Sequence, residues 1–150
     1  MKEAVQDLLT ILELERIEDN IFRGEGRASG QRAIFGGLVA AQALMAAART
    51  VPAERPVHSL HAYFLRPGDF SVPIIYDVER IRDGKSFTTR RVRAIQHGRA
   101  IFSLAASFHI QEEGVEHQAD MPEVPGPEGL PTDREQREAF AHRIPEQFRE

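Results

Sequence analysis

Three places in the 150-residue chain carry groups suited to chemistry. His58 is the best titratable candidate, because an imidazole ionises near neutrality and can pass a proton in either direction. Gly36-Gly37 opens a long apolar stretch, FGGLVAAQALMAAA (residues 35–48), and backbone without side chains there leaves N–H groups open to an anionic oxygen. Gln42 is the one polar residue inside that stretch. Its amide can orient a water or a carbonyl, although it cannot act as a base. A base that activates water and donors that hold an oxyanion are what acyl hydrolysis requires.

Each feature also has a structural alternative. Paired glycines let a helix start tightly against a sheet. A buried amide makes a structural hydrogen bond, here across a domain interface. A histidine on an apolar strand face is often a satisfied core residue. Ser59 points to the strand face opposite His58, which argues against a covalent Ser–His pair. His61 falls on that opposite face as well, and His97 lies in a turn, so no metal-ligand spacing is present. With no cysteine, thiolate chemistry and disulfides are excluded. No glycine-rich phosphate loop or nucleophile elbow occurs.

Charged loop tips form a second group. Arg66 to Asp69 and Arg82 to Ser86 flank turns, Arg90, Arg91 and Arg93 share one strand, and Arg99 follows the next turn. Arg66, Lys85, Ser86 and Arg91 are the candidates for binding an anionic group such as a phosphate. Strand alternation puts Arg90 on the face opposite Arg91 and Arg93. The alternative for any one of them is a solvated sheet face.

The elements that position these residues follow from periodicity. Residues 36–48 are apolar on every face, which predicts a helix wrapped by other structure and ending near Arg49-Thr50, before Pro52. Glu3 to Leu12 reads as a short amphipathic helix with Val5, Leu8, Leu9 and Leu12 on one side. Short extended pieces follow at Leu14 to Glu18 and Ile21 to Glu25, then a loop containing Gly24, Gly26 and Gly30.

A strand meander occupies Val57–Leu65, Pro73–Arg82, Ser86–Gln96 and Arg99–Ile110, with turns at Arg66–Asp69, Asp83-Gly84 and His97-Gly98. Phe102, Leu104, Ala106, Phe108 and Ile110 share one face. Leu60, Ala62 and Phe64 share another, and His58 falls in register with them, toward the helix. A long buried helix before an antiparallel meander predicts an α+β fold in which a sheet curls around the helix.

The organisation expected is one domain over 1–112, then a Pro-rich linker and a short charged helix over 113–150 that leads to a second domain. Thr132-x-x-Glu135 is a capping box for that helix, which is expected to run through Arg143. A net charge of −4, from 19 basic and 23 acidic residues, argues against nucleic acid or an anionic membrane as the main partner. The N-terminus reads as no signal peptide and no apolar run reaches a membrane span, so a cytoplasmic protein is expected.

The blocks FGGLVAAQALMAA, HSLHAYFLRPGD and IIYDVERIRDGKSFTTRRVRAIQHGRAIF, in this order and spacing, resemble the N-terminal half of the bacterial acyl-CoA thioesterase II family. The similarity runs from about Leu8 to Leu130. It implies a hot-dog fold, an antiparallel sheet around one central helix, and hydrolysis of fatty acyl-CoA to a fatty acid and coenzyme A without a metal or organic cofactor. It further implies two tandem hot-dog domains, with the water-activating Asp and its Thr and Gln partners in the second. No residue of that triad falls on this chain, and the second domain comes from the same full-length chain or from a second copy. The residues read above place Gly36, Gly37 and Gln42 at the thioester with His58 as the titratable candidate, and Arg66, Lys85, Ser86 and Arg91 at the coenzyme A phosphates. Gln42 would stand where related hot-dog enzymes place a carboxylate. A non-catalytic acyl-CoA-binding or dimerisation module is the alternative; a hydratase would need an Asp beside the His.

Overall fold

The computed structural model describes residues 3–26, 33–140 and 143. Within them, α1 (Glu3–Leu12), β1 (Glu15–Glu18), β2 (Ile21–Gly24), α2 (Gly36–Ala48), β3 (Val57–Phe64), β4 (Ile74–Asp83), β5 (Phe87–Gln96) and β6 (Arg99–His109) follow in chain order. The strands form one antiparallel sheet in the order β1-β2-β4-β5-β6-β3, so consecutive strands are neighbours except where β3 crosses to the far edge. None of these helices is long and apolar enough to cross a membrane. Gly30 lies outside the described residues.

Alternation decides which face of the sheet is apolar. Ile74, Tyr76 and Val78 of β4, Val92 and Ala94 of β5, and Phe102, Leu104, Ala106 and Phe108 of β6 are all buried. They pack on Val39, Ala43, Ala46 and Ala47 of α2 in one core. Small residues on the inner side of α2 let its backbone lie close to the sheet, which suits the dense packing of interiors. The helix is not wrapped on every side, however. Gly37 and Met45 are exposed, because the sheet covers one side of α2 and leaves the side at this spacing open.

Three polar residues on the inner parity of β5, Thr88, Arg90 and Gln96, are buried as well. Arg90 sits at the C-terminal end of α2. Its Nε donates to Thr50 Oγ1 at 2.8 Å and its Nη2 to Thr50 O at 3.0 Å and to Asp83 Oδ1 at 2.6 Å. Nη1 donates to Arg82 O and Thr89 O, so all five guanidinium protons are used. A buried cation with every donor satisfied is tolerated, and it locks the helix end to the β4–β5 turn.

The segment Gly114–Glu150 forms its own unit, separate from Met1–Glu113. Its described residues include a 3₁₀ turn, η1 (Pro127–Gly129), and α3 (Asp133–Phe140). The capping box is made: Thr132 N donates to Glu135 Oε2 at 2.7 Å, and Glu135 N to Thr132 Oγ1 at 3.3 Å. These contacts hold the Glu135 carboxyl below its ordinary pKa. The stretch expected to continue this helix to Arg143 includes residues 141–142, outside the described residues.

Candidate functional site

The N-terminus of α2 faces a cleft of about 410 Å³. Ile34, Gly36 and Val39 form one wall, Phe64 to Gly68 the second, and Ile101 and Phe102 the floor. Among the described residues no side chain caps the helix; Phe35, at the cap position, turns its ring outward. A Cβ on Gly36 would lie 2.7 Å from Phe64 Cε1, so the glycine sets the width of the cleft at this point. The sequence-identified Gly36 and Arg66 therefore meet in one place. Gly37 follows on the exposed side of the helix.

The loop that walls this cleft is held from β5 by a residue that sequence reasoning missed. Gln96 Nε2 donates to Asp69 O at 2.7 Å and to Val72 O at 2.8 Å, while Asp69 N donates to Gln96 Oε1 at 2.9 Å. Ile34 N then donates to Gly68 O at 3.0 Å, tying the loop to the entry of α2. The loop closes on itself through Asp69, which accepts from Ser71 N and Ser71 Oγ and contacts His97 Nε2 at 3.1 Å. These partners, Ser71 foremost, hold the Asp69 carboxyl below the usual carboxylate range. The available signal was parity: Gln96 has the inward phase of Val92 and Ala94, where a polar side chain requires an internal partner.

Gln42 is fully buried in the middle of α2. Its Nε2 donates to Ile11 O at 2.7 Å and Glu25 O at 3.2 Å, and its Oε1 accepts from Tyr76 Oη at 2.7 Å. It thus joins α1, the end of β2 and β4 within a single domain, rather than bridging an interface between domains. Burial drives the Tyr76 hydroxyl pKa well above its ordinary value.

His58 departs from its expected orientation. The β3–β6 register shifts between Val57 and Ser59, a bulge that inserts one residue and reverses the alternation locally. His58 Nε2 lies 2.9 Å from Ser107 Oγ, and its ring meets those of Phe87 and His109 edge-on. Ser107 and His109 alternate with the buried Ala106 and Phe108, so His58 sits on the sheet face away from α2. Leu60, Ala62 and Phe64 keep the expected phase, opposite Ala106, Leu104 and Phe102. β3 is an edge strand, and Leu60 and Phe64 on its helix-side face remain more than half exposed.

The remaining candidates separate. Lys85 and Ser86 precede β5, whereas Arg66 lies near its end, ten strand residues or roughly 30 Å away. Arg55 shapes the Lys85–Ser86 turn by donating to Gly84 O at 2.8 Å and Lys85 O at 3.0 Å. Arg91 pairs with Glu79 at 3.2 Å and Arg93 with Asp77 at 2.6 Å on the outer face, opposite the buried Arg90. The structure brings neither Lys85, Ser86 nor Arg91 to the cleft.

An antiparallel sheet curled around one helix, with a cleft at the helix N-terminus and an open edge strand beside it, defines a hot-dog domain. Its particular membership follows from sequence: the chain belongs to the acyl-CoA thioesterase N-terminal domain family, whose model matches residues 25–109. It is similar to acyl-CoA thioesterase 2 of Haemophilus influenzae, 46% identical over 100% of this chain and 52% of that protein. Among solved structures it is similar to an acyl-CoA thioesterase II from Mycobacterium marinum, with a TM-score of 0.75 at 51% identity over 85% of this chain and 48% of that one. It also resembles a hot-dog-fold protein of unknown function from Alicyclobacillus acidocaldarius, with a TM-score of 0.69 at 25% identity over 83% of this chain and 48% of that one. The chain spans about half or less of the length of the curated relatives it matches.

Proposed function

We propose that this chain is the N-terminal hot-dog half of an acyl-CoA thioesterase, which hydrolyses fatty acyl-CoA to a fatty acid and coenzyme A in the cytoplasm. One observation carries the division of labour. Among the described residues, the cleft is lined by Gly36 at the helix N-terminus, by apolar side chains and by Arg66, but by no carboxylate and no imidazole. In this reading the N–H groups of Gly36 and Gly37 stabilise the oxyanion as water attacks the thioester carbonyl. The proton is taken by a base outside this chain, and the thiolate of coenzyme A leaves. Gln42 supports the site by fixing α2 rather than by touching the substrate.

A second hot-dog domain supplies the base, and the exposed face of β3 is the surface it covers. Leu60 and Phe64 are apolar and open there, with the exposed Leu65 just past the strand end, an arrangement that marks an interaction surface. The test is release of free thiol from an acyl-CoA. Negligible turnover by this chain alone, restored when the second domain is supplied, is expected. Full turnover by the chain alone would overturn the reading and direct attention to His58. Binding without turnover in the complete pair would instead favour the acyl-CoA-binding module.

A further inference from the structure

The cleft at α2 does not end at Arg66. Arg66 and Pro67 also wall an adjoining cleft of about 380 Å³, which continues past Ile101 to Arg99, His97 and Asp69 at the β5–β6 turn. His97 and Gly98 both take positive φ, 49° and 69°, giving a tight two-residue hairpin turn. The turn fixes Arg99 at the start of β6, next to Ala100, whose carbonyl accepts from Arg66 Nη1 at 2.6 Å. The two clefts thus share the wall made by Arg66, Pro67 and Ile101, one mainly apolar and the other carrying Arg66 and Arg99 together with Asp69 and His97.

Charge pairing and position together separate these arginines from the others: Arg55, Arg80 and Arg82 also meet no carboxylate among the described residues, but they line neither cleft. Arg16, Arg23, Arg49, Arg90, Arg91 and Arg93 each pair with a carboxylate. Among the described residues, neither Arg66 nor Arg99 pairs with one, and the Arg99 side chain makes no hydrogen bond, whereas its main chain pairs with Gln96 in the β5–β6 ladder. Asp69 lines the same cleft, but its carboxylate is engaged by Ser71 and His97, which leaves two guanidinium groups there with no carboxylate of their own, an arrangement that suits a dianion.

We infer that Arg99, together with Arg66, binds a phosphate of the nucleotide end of the substrate, with the acyl thioester in the adjoining, mainly apolar cleft. This rests on the thioesterase reading and moves the phosphate site away from Arg91 and Lys85. A guanidinium offers two parallel N–H donors to a phosphate, and charge-assisted bonds of this kind are among the strong ones. Arg99 holds no other part of the fold, so Arg99→Ala removes the contact without loosening the domain.

The experiment is titration of the protein, with the second domain of the proposed pair present, using two non-hydrolysable thioethers: an acyl-CoA analogue and the matching acyl-pantetheine, which lacks every phosphate. Arg99→Ala is expected to weaken the coenzyme A analogue about tenfold and to leave the pantetheine analogue unchanged. Arg66→Ala should follow the same pattern. An unaltered affinity for the coenzyme A analogue, or an equal loss for both ligands, overturns the phosphate assignment. Failure of the unsubstituted protein to bind either ligand overturns the thioesterase reading itself, and the inference with it.

Discussion

Tyr76 Oη donates a 2.7 Å hydrogen bond to Gln42 Oε1, and both side chains are completely buried. This contact joins the middle of the central helix to the first part of β4. Because Gln42 Nε2 reaches Ile11 O and Glu25 O on its other side, a single amide fastens three elements to the helix.

Removing that amide should be costly. Gln42→Ala leaves the Tyr76 hydroxyl and two carbonyls without their partner and opens a cavity, so a loss of about 2–4 kcal/mol is expected in urea unfolding. Tyr76→Phe removes one bond and should cost about 1–2 kcal/mol.

The same pair makes a pH prediction. The folded-state pKa of Tyr76 is raised by burial, so its hydroxyl stays protonated in the native state where the unfolded chain ionises. Its contribution is intact below the unfolded value and declines above about pH 10, with a limiting slope of about 1.4 kcal/mol per pH unit. The stability gap between the wild type and Tyr76→Phe, followed by chemical denaturation across this range, should narrow as pH rises.

Gly24 is closed to any side chain. A Cβ there would stand 2.6 Å from Gln42 Oε1 and 2.9 Å from Leu14 Cδ2. Gly24→Ala should therefore destabilise by about 1–3 kcal/mol. In the Gln42→Ala background the cost should be smaller, since the clashing atom is gone; a double-mutant cycle measures the difference.

Arg90→Met retains much of the aliphatic bulk but leaves Thr50 O, Arg82 O and Asp83 without their donor. A loss of about 3–5 kcal/mol is expected, read as an earlier midpoint in urea.

On the open edge, Leu60→Glu should change the stability of this domain by no more than about 0.5 kcal/mol, because the side chain is already half in water. Pairing with the second domain should weaken at least about tenfold, since a charge would be buried there. Sedimentation with the second domain supplied separately reads the association, and thermal unfolding of the chain alone reads the first effect.

The elements were legible because their signals are local. Two-residue repeats in β6, the Asp-Gly and His-Gly turns, and the apolar run of α2 each lie within a dozen residues, and all of these elements form where expected. Side-chain orientation was less legible where pairing decides it. His58 has the right phase for the helix side by simple counting, and only the bulge against β6 reverses it. Gln42 stood out in sequence as a lone amide, but its partners Ile11, Glu25 and Tyr76 lie 17 to 34 positions away. The scattered arginines had equal claims until pairing with Glu79 and Asp77 distinguished Arg91 and Arg93 from Arg66 and Arg99.

The Gln96 brace has a dynamic consequence. The loop from Pro67 to Pro73 contains no helix or strand, yet its main-chain groups are fastened to a side chain at the end of a central strand. Such a segment is expected to open as a unit rather than residue by residue, once the Gln96 bonds and the Ile34 N to Gly68 O bond release together. Its amide protons should then exchange with solvent at a shared rate. A weaker latch, as in Gln96→Ala, would quicken the opening of this loop beside the cleft that Gln96 itself helps to line.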